Sequence, residues 1–179
     1  MSSLVLHPLE AEWVPHGRGH LSECLVDVGL CERVAPDAQG WCPVGEHFLG
    51  LVTFLGCSPA IHLAPDPASP EREYCRVRLR EFRAAPHFLH ARHLPTPRCP
   101  VCRAPVAVDP AQTTPESDVD CRRCGARTSA ARLDWRRAAG YASLFIEISG
   151  VYPGEALPTD ALLARLEQAS GCGWRYFYL

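Results

Sequence analysis

Thr159-Asp160-Ala161-Leu162-Leu163-Ala164-Arg165-Leu166-Glu167-Gln168-Ala169-Ser170-Gly171, followed by Cys172-Gly173-Trp174-Arg175-Tyr176-Phe177-Tyr178-Leu179, reads as a helix that runs into a strand. Leu162, Leu163, Leu166 and Ala169 recur at helical spacing and form one apolar stripe. Thr159 stands in N-cap position just after Pro158, and Gly171 can end the helix. In Trp174–Leu179, alternation places Trp174, Tyr176 and Tyr178 on one face, which predicts a core seal rather than an exposed docking strip. Upstream, Ser143–Ile148 reads as another strand. Strand, helix and strand in this order suggest a βαβ crossover, right-handed if the two strands are parallel.

Working back from this stretch, residues 74–82 alternate. Cys75, Val77 and Leu79 share one face, and Arg76, Arg78 and Arg80 share the other, the mark of a half-buried strand. Residues 48–55 form a continuous apolar run of strand length, predicting a strand covered on both faces. Residues 20–34 carry apolar positions at helical spacing, interrupted by Gly29. The four prolines of 59–72 predict a loop, and the Pro- and His-rich stretch 84–98 reads as a linker. The expected fold class is α+β: a mixed or mostly antiparallel sheet with about two helices, built from 1–97 and 137–179 and interrupted by an insertion over 98–136.

The insertion holds Cys99-Pro100-Val101-Cys102 and, after 18 residues, Cys121-Arg122-Arg123-Cys124-Gly125. A two-residue gap lets both sulfurs of a pair reach one ion around a tight turn, and two pairs complete a tetrahedral S4 shell. Such a shell suits zinc, with a rubredoxin-like iron site as the competitor. With all four positions taken by protein, no open coordination site remains for water or substrate, so the metal is read as structural. The pattern resembles the zinc-ribbon family over residues 98–136. The resemblance implies a small three-stranded β module on one Zn2+. The second pair matches the family pattern, whereas Arg103 stands where a glycine is common.

The chain's 18 basic residues are all arginine. The absence of lysine excludes a Walker-type phosphate lysine, a Schiff-base lysine and a Ser-Lys dyad. The net charge of −2 conceals a polarity: residues 72–137 hold 14 Arg against 7 acidic residues, and the remainder holds 4 against 13. Five of these arginines, at 98, 103, 122, 123 and 127, adjoin the cysteines and can offset the −2 charge of four thiolates around Zn2+. The row Arg76, Arg78, Arg80 repeats every ~6.8 Å along a strand and could track a phosphate backbone. No aromatic residues interleave with it to stack bases, so a solvated face, or one paired with the acidic flanks, is the preferred reading.

Other constellations are weaker. His87, His90 and His93 could hold a second metal, but the flanking prolines favour ordinary loop histidines. His16, His20 and Cys24 form another possible set. Cys57 and Ser58 follow an apolar run, where a nucleophile often sits, with His47 or His62 as base, although no catalytic signature surrounds them. The six cysteines outside the two pairs are expected to pack in the core.

No apolar run reaches 18 residues, and the first residues lack the pattern of a secretory signal. The expected setting is therefore a reducing cytoplasm, with no membrane association. The expected function is that of a bacterial, non-enzymatic accessory or adaptor protein that docks on a protein partner through the ribbon and its basic surroundings. The candidate partner- or anion-binding residues are Arg76, Arg78, Arg80, Arg122 and Arg123. A nucleic-acid-binding protein is the first alternative, and a small enzyme using Cys57 or a histidine site is the second.

Overall fold

A computed structural model of the chain describes residues 3–15, 19–55, 61–69 and 72–179. The candidate residues Cys57, Ser58 and His16 lie outside the described residues. The fold is α+β. Its main sheet contains five strands: β1 (Ser3–Pro8), β2 (Trp41–Pro43), β4 (Arg76–Leu79), β9 (Ile146–Ser149) and β11 (Trp174–Tyr178). They lie in the order β11-β1-β9-β4-β2, and every pairing is antiparallel. Three two-stranded ladders surround it. β3 (Val52–Phe54) pairs with β10 (Ala156–Pro158), β5 (His87–His90) with β8 (Ala139–Ala142), and β6 (Asp118–Asp120) with β7 (Arg127–Ser129). The helices are α1 (His20–Asp27), the single turn α2 (Phe48–Leu51) and α3 (Asp160–Ser170).

β1 is buried along its whole length, because both sheet faces are covered there. Alternation divides its side chains. Leu4 and Leu6 join the large core under α1 and α3, and Val5 joins a smaller cluster with Ala142, Phe145 and Phe177 on the other face. β11 divides in the same way: Trp174 and Tyr178 enter the large core, and Phe177 the smaller cluster. α3 follows its sequence signals. The Thr159 hydroxyl accepts a hydrogen bond from the Leu162 N–H at 3.3 Å, and Gly171 takes φ 68° at the C-cap. β9 and β11 run parallel, but β1 lies between them and is antiparallel to both, so the crossover spans one intervening strand.

The structure corrects three local expectations. Residues 48–55 are not one strand: one helical turn precedes β3. The turn buries Phe48 and Leu51, three residues apart on one helical face, and leaves Leu49 outside. The helix expected over 20–34 stops at Asp27 because Gly29 turns to φ 75°. A Cβ there would come within 2.7 Å of the His47 ring. The stretch 84–98 is more than a linker. Its Phe88 packs 4.6 Å from Tyr141 and 4.8 Å from Trp135, ring centre to ring centre, and this cluster holds β5 against β8.

Candidate metal centre

The two cysteine pairs are built alike. In the first, the Arg103 N–H donates to the Cys99 carbonyl at 2.9 Å, and the Cys99 N–H to the Ala104 carbonyl at 2.9 Å. In the second, the Gly125 N–H donates to the Cys121 carbonyl at 2.8 Å, and the Cys121 N–H to the Ala126 carbonyl at 2.9 Å. Both turns need a residue in the left-handed region after the second cysteine. Gly125 meets this at φ 71°, and Arg103 takes the same conformation at φ 60° despite its side chain. The second turn closes the β6–β7 hairpin. The first is flanked by Arg98, which bridges to both Pro105 and Asp134.

The turns face each other and bring the four Sγ atoms within 4.8 Å of one another. The Cys99–Cys124 sulfurs are 3.8 Å apart and the Cys102–Cys121 sulfurs 3.6 Å. A tetrahedral ion with metal–sulfur bonds of about 2.3 Å requires S···S separations of about 3.8 Å, so the donor set fits a tetrahedral thiolate site. Backbone N–H groups of Cys124 and Arg123 point at the Cys121 sulfur and lower its pKa, while the Cys102, Cys121 and Cys99 sulfurs outweigh the Ala126 N–H at Cys124 and raise its pKa. Beneath the sulfurs, Cys99 and Cys121 rest on an apolar cluster with Val106, Val119, Leu133 and Trp135. Among the described residues, this is the one group of three or more His, Cys, Asp or Glu side chains placed to share an ion.

The candidate arginines divide between two places. Arg122 and Arg123 are exposed in the second cysteine turn, with Arg98 and Arg103 exposed beside the first. Val101, between the first two cysteines, is 70% exposed. Arg127, also exposed, pairs with Asp118 at 3.0 Å and lies 3.7 Å from Asp120. Arg76, Arg78 and Arg80 lie on the main sheet. Arg78 donates through Nε and Nη2 to one Glu147 oxygen at 2.9 and 2.7 Å, and Arg80 donates through Nη1 to the same oxygen at 2.8 Å. Glu147 is only 5% exposed. Arg76 lies 3.6 Å from Asp37 and stacks between Trp41 and Tyr74, while Arg78 covers the Trp41 ring at 4.2 Å. The acidic partner is therefore present within the fold.

The described histidines do not converge on a site. His87 packs edge-on to Phe145 at 5.1 Å, the His90 ring Nδ1 meets the Ala91 carbonyl at 2.8 Å, and His93 is exposed. His20 lies against the Ala169 carbonyl at 3.0 Å. Burial pushes the Cys31 and Cys75 thiols up to about 11, which makes both poor nucleophiles.

Sequence reasoning missed His7, buried on β1 between Phe145 and Phe177. Burial, and then the neighbouring Arg175 charge, push its pKa down to about 3. The apolar run Leu4-Val5-Leu6 ahead of it was the available signal for the strand. No family model, curated protein or solved structure matches the chain.

Proposed function

We propose that the four cysteines hold one structural Zn2+ in a zinc ribbon, and that the protein is a cytoplasmic, non-enzymatic adaptor which docks on a protein partner through the exposed ribbon tip. The observation that carries this reading is the tip itself. Val101 is 70% exposed in the first turn of a closed four-sulfur site, and Arg103, Arg122 and Arg123, exposed in the two cysteine turns, form no ion pair among the described residues. An exposed apolar residue on a module that also exposes arginines is the composition of an interface anchor, and a closed metal site makes its support rigid. A four-thiolate shell leaves the ion no position for chemistry, which supports a structural role. The nine described cysteines are free of disulfides, in keeping with a reducing compartment. That Arg78 and Arg80 are spent on Glu147 favours a protein partner over a nucleic acid.

The test has two stages. Metal analysis of purified protein should find about one zinc per chain and no colour, and Cys124→Ser should lose the metal. One iron per chain with a red colour overturns the zinc assignment. The variant Val101→Asp/Arg122→Glu/Arg123→Glu should keep its zinc and melting temperature and lose a partner captured from the host. Salt-sensitive binding of DNA or RNA that this variant abolishes would establish the nucleic-acid reading instead.

A further inference from the structure

A groove of about 760 Å³ opens between the end of α1, the turn at 29–33 and the segment 44–49, and Leu63 also lines it. The backbone ties its walls together. The Gly45 N–H donates to the Leu30 carbonyl at 2.9 Å, and the His47 N–H to the Gly29 carbonyl at 3.1 Å. The approach is this close because both residues are glycines: a Cβ on Gly45 would lie 2.4 Å from the Gly29 oxygen. A groove held in this way need not be ordered when something enters it.

Two chemistries meet there. Leu49 and Leu63 are 55% and 36% exposed, beside the half-buried Val26. Large apolar side chains left in water among charged ones mark a contact surface. The charged lining is Asp27, Glu32 and Glu46 against the single cation Arg33, a balance of −2. Arg33 is spent on Asp27 at 2.6 Å, Glu46 meets only the His47 ring at 3.6 Å, and Glu32 forms no ion pair among the described residues. The cysteine turns carry the complement. Val101 is exposed in the first, and Arg98, Arg103, Arg122 and Arg123 are exposed in or beside the two. Residues 98–104 and 121–127 include no acidic residue, and these four arginines outnumber the two negative charges of a four-thiolate Zn2+ site.

We propose that the acidic groove receives the cysteine turns of a second copy of this chain, with Val101 seated against Leu49 and Leu63 and the arginines facing Glu32 and Glu46. The inference rests on the reading of the ribbon tip as a docking surface and names one occupant for it. The contact is heterologous: each copy gives its tip to one neighbour and its groove to another, so copies add head to tail unless the rotation closes a ring. Opposite charges steer the approach and make it sensitive to salt. A contact anchored by one valine is small, which sets the expected Kd in the range of about 0.01–1 mM.

Sedimentation velocity of the full-length, metal-loaded protein tests this. The sedimentation coefficient should rise with concentration, and association should be at least about threefold weaker at about 0.5 M salt than at about 0.05 M. The tip variant Val101→Asp/Arg122→Glu/Arg123→Glu and the groove variant Glu32→Gln/Glu46→Gln/Leu49→Gln alter exposed positions only. Each alone should stay monomeric, with its melting temperature and metal content unchanged. Mixed in equal amounts, the two should form a dimer and nothing larger, because one intact tip and one intact groove remain. A parent chain that is monomeric up to about 1 mM overturns the proposal, as does a variant that still associates or a mixture that stays monomeric. Should a variant unfold, methyl NMR of the parent across a dilution series decides. The Val101, Leu49 and Leu63 methyls should shift together, and a series in which either surface stays unmoved overturns the proposal. If the tip variant loses a host partner while the parent does not self-associate, the docking surface stands and the second copy falls. Binding of an arginine-rich peptide in the groove of a parent chain that does not self-associate overturns the proposal in favour of a different basic protein.

Discussion

Arg103 occupies the position in the first cysteine turn that Gly125 occupies in the second, with the same hydrogen bonds and the same left-handed backbone. A side chain in that conformation costs about 1–2 kcal/mol, and glycine gives back about 0.5–1 kcal/mol in lost chain freedom. Arg103→Gly is therefore expected to tighten metal binding about two- to fivefold, read by competition with a chromogenic chelator. At His7 the effect is one of pH. An unfolded histidine titrates near 6.5, whereas His7 in the fold is held at about 3. Between these values the unfolded chain takes up a proton that the folded chain refuses. His7's contribution is complete above about pH 6.5 and drains away as pH falls toward 3, with a slope of up to about 1.4 kcal/mol per pH unit. Acid also releases metal, so the measurement is a comparison. From pH 7 to 5, urea midpoints of the parent should fall more steeply than those of His7→Phe.

Elements declare themselves in the sequence to the extent that their causes are local. α3 was legible because its stripe, cap and terminating glycine lie within one short stretch, and the cysteine pairs were legible because ligation fixes a spacing. The alternation of β4 was legible too, but its charge partner was not. Glu147 lies opposite Arg78 only through strand pairing, and nothing near residue 78 announces it. The same holds for β1, a short apolar run whose interior place depends on β9 and β11, and for β5, bracketed by prolines but fixed by Trp135 and Tyr141. β11 tests the packing argument. It lays Phe177 into one core and Trp174 and Tyr178 into another. Burial of each large side chain is worth about 1.5–3 kcal/mol, against a typical total stability of 5–15 kcal/mol. Deleting Gly173–Leu179 should abolish the cooperative melt of the main sheet while the cysteine turns keep their metal. Metal analysis beside thermal unfolding checks both halves, and an unchanged melting temperature would refute the core assignment.

At the scale of the whole molecule, two large apolar clusters rest on different supports. One lies under the five-stranded sheet, and the other surrounds the cysteines. Stripping the metal should leave amide protection in β1 and β9 largely intact and remove it from β6 and β7, as read by hydrogen exchange. Trp135 and Tyr141 belong to the cysteine cluster, so tryptophan fluorescence should report the same event. The sheet order carries a consequence for synthesis. β1 leaves the ribosome ahead of both its neighbours: β9 begins about 140 residues later and β11 about 170, roughly 10–30 s behind at ordinary translation rates. Until β9 emerges, its wholly apolar Leu4-Val5-Leu6 has neither neighbour to pair with. The four thiols, spread over only 26 residues, can meet their ion well before then. The cysteine module can thus be complete while this interior strand still lacks both partners, an order of events that leaves a defined apolar segment for a chaperone to cover.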